Sequence, residues 1–434
     1  MIAPFAIALL ALAAPKPKAY HGVYDLDILG WNDGDPYRLR GAEAEAILSD
    51  PDAQIFQFQS ADWMSKNQRG AYVKLSEVIG RFPERPPQDL VRVLSVDLDG
   101  DRTPEALLVP TPFLGEGMRF APTVLKMGPD GPTAVWASTE LPGERFRVAD
   151  IRDLNADGRV EVLLAGESGQ SGFYRFFELV GFGPQGFQTL NVEHDDELHY
   201  VDLDRDQKVE IIVRERVGRK GASHQWTYID HVQRWTGFRF ENAEALYPHY
   251  HDEQTLPELV GDILDNHDAR MAILDEKVAA IATVRQTTAA WSPVPRGFHT
   301  KKVQALQLLQ RKKPKAARAK LEALVDAYRY DAQVLVALAQ VDAASDDWAG
   351  VLDAATRALT VDPKNREAWW WSGRAFAGLQ ERSFAVASFH LSVILGGTIA
   401  NGLEYLRARR GEPGMDADLQ GIIDEAIAAS EKTP

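Results

Sequence analysis

Asp153-Leu154-Asn155-Ala156-Asp157-Gly158-Arg159-Val160-Glu161-Val162-Leu163-Leu164 sets oxygen-bearing side chains at the first, third, fifth and ninth places of a tight loop, then runs straight into apolar residues. The same order stands at Asp97-Leu98-Asp99-Gly100-Asp101-Arg102-Thr103-Pro104-Glu105 before Ala106-Leu107-Leu108-Val109. It stands again at Asp202-Leu203-Asp204-Arg205-Asp206-Gln207-Lys208-Val209-Glu210 before Ile211-Ile212-Val213. Three copies make a repeat. Oxygen ligands at this spacing are what a hard cation such as Ca²⁺ needs.

Outward from each loop, apolar and polar residues alternate as they do in half-buried strands. Around the second loop this predicts strands over 145–151, 162–164, 172–180 and 187–192, the last two joined by a Gly-Pro-Gln-Gly turn. Around the first it predicts strands over 91–96, 105–109, 123–127 and 133–137, and around the third over 199–203, 209–215, 225–235 and 238–242. Each copy is thus a four-stranded antiparallel unit, and the loop spacing matches one blade of a propeller. Three bladed units are expected over 89–250. Residues 22–88, with strand-like stretches at 23–29 and 54–58 and a helical one at 41–48, are expected to form a degenerate blade or cap that closes or covers the sheets.

After residue 253 the strand pattern stops. Apolar spacing over 256–285 predicts one or two helices, making 254–297 a helical linker that ends in a Pro- and Trp-containing connection. From 298 to 432 a second period takes over. Ala305, Ala339 and Gly373 recur at a spacing of 34 residues, as do Ala317, Val351 and Ala385, and Leu321, Ala355 and Phe389. Small residues at fixed places let paired helices approach closely, and bulky ones fill between neighbouring hairpins. A capping helix is expected near 419–430. The fold class is therefore a bladed, β-propeller-like domain followed by an α-helical solenoid.

The acidic-loop units resemble VCBS and FG-GAP repeats through the pattern D-x-[DN]-x-D-x-x-x-E followed by an apolar strand. That resemblance implies Ca²⁺ held in the loops and a role in extracellular adhesion or recognition. The 34-residue units resemble tetratricopeptide repeats, with Trp369, Gly373, Phe376, Ala385 and Phe389 on the family pattern in one unit and Ala358 and Pro363 in the unit before. That resemblance implies a protein-interaction platform with a concave groove. In the family's helix phase Trp370 and Arg374 face the groove as anchors for a partner, while Trp369 and Trp371 pack between helices.

Within each loop the expected ion ligands are the side chains at places one, three, five and nine and the carbonyl at place seven. These are Asp97, Asp99, Asp101, Thr103 and Glu105; Asp153, Asn155, Asp157, Arg159 and Glu161; and Asp202, Asp204, Asp206, Lys208 and Glu210. Place six calls for a left-handed backbone, for which only the second loop carries glycine, Gly158. An EF-hand would continue into a helix with a ligand at place twelve, where Leu108, Leu164 and Val213 stand instead.

The formal charge of −15 argues against nucleic acid as the main partner, since phosphate binding is driven by clustered Lys and Arg. The absence of cysteine excludes disulfides and thiolate metal sites. Residues 2–14 form an apolar run with Ala11 and Ala13 in an A-x-A arrangement, so residues 1–14 are read as a signal peptide and the protein as periplasmic or extracellular, a cytoplasmic adaptor being the alternative. One basic stretch runs from Lys301 to Lys320, either a solvated helical face or a dock for an acidic surface. No charge relay, phosphate loop or zinc motif is present, and the expected function is a non-enzymatic calcium-binding scaffold for proteins or surface glycans. The alternative is a hydrolase with its site on the bladed domain.

Overall fold

The computed structural model describes residues 24–25, 37–58, 70–111, 120–139, 145–168, 174–193, 197–206, 208–237, 239–289, 292–412 and 415–433. The expected signal peptide and most of the strand expected at 23–29 lie outside these residues, as does Gln207. The described residues divide into two units, one of sheets (24–215 and 231–243) and one mainly of helices (216–230 and 244–433).

Each acidic loop joins the first two strands of one antiparallel sheet. The first sheet contains β4 (Val91–Val96), β5 (Glu105–Pro110), β7 (Thr123–Gly128) and β8 (Gly131–Ala137) in chain order. The second contains β9 (Arg145–Arg152), β10 (Glu161–Ser168), β11 (Tyr174–Gly183) and β12 (Gly186–Glu193). The third contains β13 (Glu197–Val201), β14 (Glu210–Gly218), β15 (Thr227–Trp235) and β16 (Phe240–Asn242), with β1 (Tyr24–Asp25) added beside β13. A fourth, smaller sheet joins β2 (Gln54–Phe58), β3 (Gly70–Lys74) and β6 (Phe120–Ala121). Among the described residues no sheet closes on itself.

The apolar runs after the loops have a packing reason. Every residue of β5 is buried. Ala106 and Leu108 point into a cluster with Leu48, Ile55, Leu75 and Leu90, whereas Leu107 and Val109 join Val162, Leu164 and Val180 of the second sheet. Leu163 and Ala165 in turn meet Ile211 and Val213 of the third. A strand covered on both faces loses the polar half of its alternation, so β5 and β10 read as continuous hydrophobic stretches.

The segment before the first loop supplies cover. Helix α1 (Gly41–Leu48) buries Ala44 and Leu48, and the short helices α2 (Leu75–Ile79) and α3 (Pro87–Leu90) bury Leu75, Val78 and Leu90. Residues 37–39 lie along β4, with Leu39 N–H donating to Val93 O at 2.9 Å and Ser95 N–H to Tyr37 O at 2.8 Å. Backbone groups on an otherwise open edge are thereby satisfied.

In the helical unit a π-helical turn at His251–Thr255 leads into α4 (Leu256–Asp265) and α5 (Met271–Ala289). Lys277 of α5 is fully buried, paired with Asp262 of α4 and donating to the Gln225 carbonyl at 3.0 Å. Helical hairpins follow: α6 (Phe298–Gln310) with α7 (Pro314–Ala327), α8 (Ala332–Ala343) with α9 (Trp348–Val361), α10 (Arg366–Gly378) with α11 (Arg382–Ile394), and α12 (Ile399–Arg410) with α13 (Ala417–Ser430). The first three hairpin turns each hold one non-glycine residue at positive φ, Lys312 (55°), Asp346 (55°) and Gln380 (65°), recurring at the 34-residue period. Gly373 is required by packing: a Cβ there would lie 2.5 Å from the Phe389 ring. Helix α12 was not among the expected elements, although Thr398 caps it by accepting from Asn401 N–H at 3.4 Å. Among the described residues no helix is long and apolar enough to cross a membrane.

Candidate metal centre

The loops are built by their own carboxylates. In the first, Asp97 accepts from the N–H groups of Gly100 (2.9 Å) and Arg102 (3.0 Å), Asp99 from Asp101 (3.0 Å), and Asp101 from Thr103 (2.7 Å). In the second, Asp153 accepts from Asp157 (3.1 Å) and Gly158 (2.8 Å), Asn155 from Asp157 (2.9 Å), and Asp157 from Arg159 (2.9 Å). In the third, Asp202 and Asp204 accept from Asp206 N–H at 3.1 and 3.3 Å, and Asp206 from Lys208 at 2.9 Å. Thr103, Arg159 and Lys208 thus serve the loop through their amides, each fixing the carboxylate at place five.

In the first two loops these bonds go with two left-handed residues where the sequence pattern indicated one. Place four is left-handed in every loop, at Gly100 (φ 75°), Ala156 (57°) and Arg205 (65°), and place six is so at Arg102 (70°) and Gly158 (86°). Glycine is not needed at place six, because Arg102 adopts the same backbone at a steric cost of roughly 1–2 kcal/mol.

Carboxylate oxygens of Asp97, Asp99 and Asp101 lie within 4.8 Å of one another, and so do those of Asp202, Asp204 and Asp206. Asn155 replaces the middle carboxylate in the second loop. The place-nine glutamates lie behind these groups, and Glu161 accepts from Asn155 Nδ2 at 2.9 Å. Glu105, Glu161 and Glu210 are 1%, 3% and 0% exposed. Each turns an oxygen to the N–H at place two, Leu98 (2.9 Å), Leu154 (2.8 Å) and Leu203 (2.8 Å). Their first task is therefore to pin the start of the loop to the strand that follows it. Burial lifts the Glu161 carboxyl to about 7, with the Asp157 and Asp153 charges adding to it, and burial lifts that of Glu105 as well.

Side-chain cations oppose the acids, and the loop motif itself does not reveal two of them. Lys126 on β7 binds Asp99 and also Asp101, at 3.0 Å. Arg234 on β15 binds Asp206 and also Asp204, at 2.9 Å, with Glu210 at 3.6 Å. In the second sheet the strand position is empty of charge. Ala106 pairs with Leu125 and Val162 with Val180, so Gly181 occupies the place of Lys126, and Arg159 from the loop itself binds Asp157 at 2.8 Å. Hydrogen bonds from Lys126 and from Thr103 N–H hold the Asp101 carboxyl below its ordinary range. Burial works to raise Asp157 and Asp206, but Arg159 and Arg234 with the loop amides prevail and both are lowered.

An all-oxygen donor set suits a hard divalent cation over a transition metal. Glu105 adds a buried Oε1 with no hydrogen-bond partner among the described residues. The first loop offers the fullest donor set for such a cation, and the third shares its triad. In both, an ion must displace a side-chain ammonium or guanidinium from the same carboxylates.

Of the two residues expected to line a groove in the helical array, Trp370 is placed differently. Trp370 is fully buried. Its ring lies 5.0 Å from Phe389 and 6.0 Å from Tyr405, with the Arg409 guanidinium 5.4 Å from its centroid. Tyr405 and Arg409 belong to α12, the additional helix, which covers the surface that would otherwise expose Trp370. Arg374 is half-buried between the rings of Trp348 (5.6 Å) and Trp371 (5.7 Å). Trp369 and Trp371 are buried as expected.

No family model matches the chain, so none supports the likeness of its loops to VCBS or FG-GAP repeats. No curated protein matches it. Among solved structures, two crystal structures of MamA are similar at TM-scores of 0.26 and 0.25 and identities of 14% and 15%. The similarity covers 38% and 41% of this chain and 90% and 93% of those chains.

Proposed function

We propose that this protein is an exported, non-enzymatic scaffold whose bladed units are stiffened by calcium and whose helical repeats bind other proteins. The observation that carries the calcium reading is the recurrence of one carboxylate triad, Asp97-Asp99-Asp101 and Asp202-Asp204-Asp206, at the same place in two sheets. Asp97, Asp99 and Asp101, with Glu105 behind them, would hold an ion in the first loop, Asp202, Asp204 and Asp206 with Glu210 in the third, and Asp153, Asn155, Asp157 and Glu161 in the second. A bound ion would supply positive charge among crowded carboxylates. The chain's own residues supply the rest: loop amides orient the acids, and the glutamates tie each loop to its strand.

Every loop lies at a strand end, a place from which an ion would stiffen the turn between two strands. Support for protein binding comes from the stacked hairpins, an architecture that presents extended surfaces. Export rests on the apolar run at 2–14.

Titration of the EDTA-treated full chain with CaCl₂ by calorimetry tests the first part, together with melting curves in calcium and in EDTA. Saturable binding and a higher Tm in calcium are expected. Absence of binding heat with identical melting curves would end the calcium reading. An affinity capture with the full chain as bait tests the second part.

A further inference from the structure

The hairpin of α6 and α7, residues 298–327, carries eight basic side chains against two acidic ones, in a chain whose total charge is −15. Two of the eight are committed to the fold: Lys302 pairs with Asp331 at 2.7 Å, and Arg318 with Glu322 at 2.8 Å and Asp342 at 2.9 Å. The other six, Lys301, Arg311, Lys312, Lys313, Lys315 and Lys320, are exposed and have no side-chain hydrogen bond or ion pair among the described residues. Four of them, Arg311, Lys312, Lys313 and Lys315, crowd the turn between the helices.

The fold does not demand this charge. The next two hairpins make the same turn, with the same left-handed residue, from Ser345-Asp346-Asp347 and Leu379-Gln380-Glu381. Asp347 even caps its helix, accepting from Gly350 N–H at 3.0 Å, whereas Lys313 at the matching place makes no cap bond. Lys313 and Lys315 stand at the N-terminus of α7, the end of a helix where a cation is unfavourable. The cations therefore stand against the local helix electrostatics, and surface residues that oppose local stability without an internal partner point to a binding role.

We propose that the turn end of this hairpin docks a short acidic segment of a protein partner. The proposal rests on the protein-binding reading above and names the chemistry of the partner. Charge complementarity selects carboxylate-rich peptide over other polyanions. A duplex or a bilayer extends its negative charge far beyond a 14-residue helix of about 21 Å. A short segment matches the extent of the patch. Salt sensitivity follows, because exposed charges are screened over roughly 8–10 Å at physiological ionic strength.

The test uses the full chain and a fluorescein-labelled deca-glutamate peptide, followed by anisotropy at low and at 300 mM NaCl, with deca-glutamine as control. A variant carrying Arg311→Glu, Lys312→Glu, Lys313→Glu and Lys315→Glu is compared, and a second carries Gln at the same four positions. Expected are binding of deca-glutamate alone, at least tenfold weaker at high salt, and at least a tenfold loss in both variants with Tm unchanged or raised. Undiminished binding by the variants overturns the proposal, as does a fall in Tm showing that the cations serve the fold. Tighter binding of a 20-base-pair duplex or of phosphatidylserine vesicles than of the peptide overturns it in favour of that polyanion. If the variants capture the same protein partners as the parent chain, this site fails while the platform reading stands. If the parent chain captures none, the platform reading fails with it.

Discussion

The Lys126 ammonium lies 3.0 Å from Asp101 Oδ2 and also binds Asp99, so two acids of the first triad are already held by a cation from the neighbouring strand. The loop is thereby neutralised in part without an ion. Those bonds also hold the lysine's proton more tightly than usual.

Lys126→Met removes a resident competitor from the first loop. Calcium affinity at that site is expected to rise by about thirtyfold, the effect of losing one positive charge about 4 Å from a divalent ion in water-like surroundings. Tm in EDTA is expected to fall, because the triad is left uncompensated. Calorimetric titration and melting of the same sample check both directions.

Glu105 has a structural task separable from metal binding. Glu105→Ala leaves the buried Leu98 N–H without its acceptor, and a loss of roughly 1–3 kcal/mol in urea unfolding is expected with or without calcium. Glu105→Gln keeps an acceptor and removes a buried charge, so without calcium it is expected to match or exceed the parent in stability. Asp97→Ala removes the acceptor of the Gly100 and Arg102 N–H groups, so it is expected to lower stability without calcium and by a larger amount when calcium is present.

His390 makes the helical unit sensitive to acid. Burial, with His267 beside it, lowers the imidazole to about 4, and its Nδ1 lies 2.8 Å from Ser430 Oγ. A histidine depressed in the fold from its ordinary 6.5 contributes stability that is complete above pH 6.5 and is lost as pH falls through about 4. The loss amounts to roughly 3 kcal/mol at about 1.4 kcal/mol per pH unit. His390→Gln is expected to flatten this part of the stability-versus-pH curve, measured by urea unfolding between pH 7 and 4.

Trp370→Ala tests the revised placement of that side chain. A fully buried tryptophan replaced by alanine is expected to cost about 3–5 kcal/mol. An exposed groove anchor would weaken capture of a partner and leave urea unfolding unchanged.

The repeats were legible in the sequence because each depends on local chemistry. The D-x-[DN]-x-D spacing folds back on its own amides, and the predicted strands on either side of each loop agree with the observed ones to within a few residues. The 34-residue period likewise follows from small residues such as Gly373, whose partner Phe389 is only sixteen residues away. Helix α12 was missed because it lacks the family's marker residues, and with it went the burial of Trp370. Lys126 and Arg234 were missed for another reason: a cation two strands from its loop in the chain carries no local mark.

The sequence by itself determined the acidic loops, the strands that follow them and the change from sheets to helical hairpins, since these rest on contacts among near neighbours and on hydrophobic period. Only the tertiary structure decided which charge meets each triad, which glutamate is buried behind it and which tryptophan is covered. Those outcomes depend on strand register and on helix α12, where residues far apart in the chain are brought within a few ångströms, the range at which hydrogen bonds form and burial shifts a pKa.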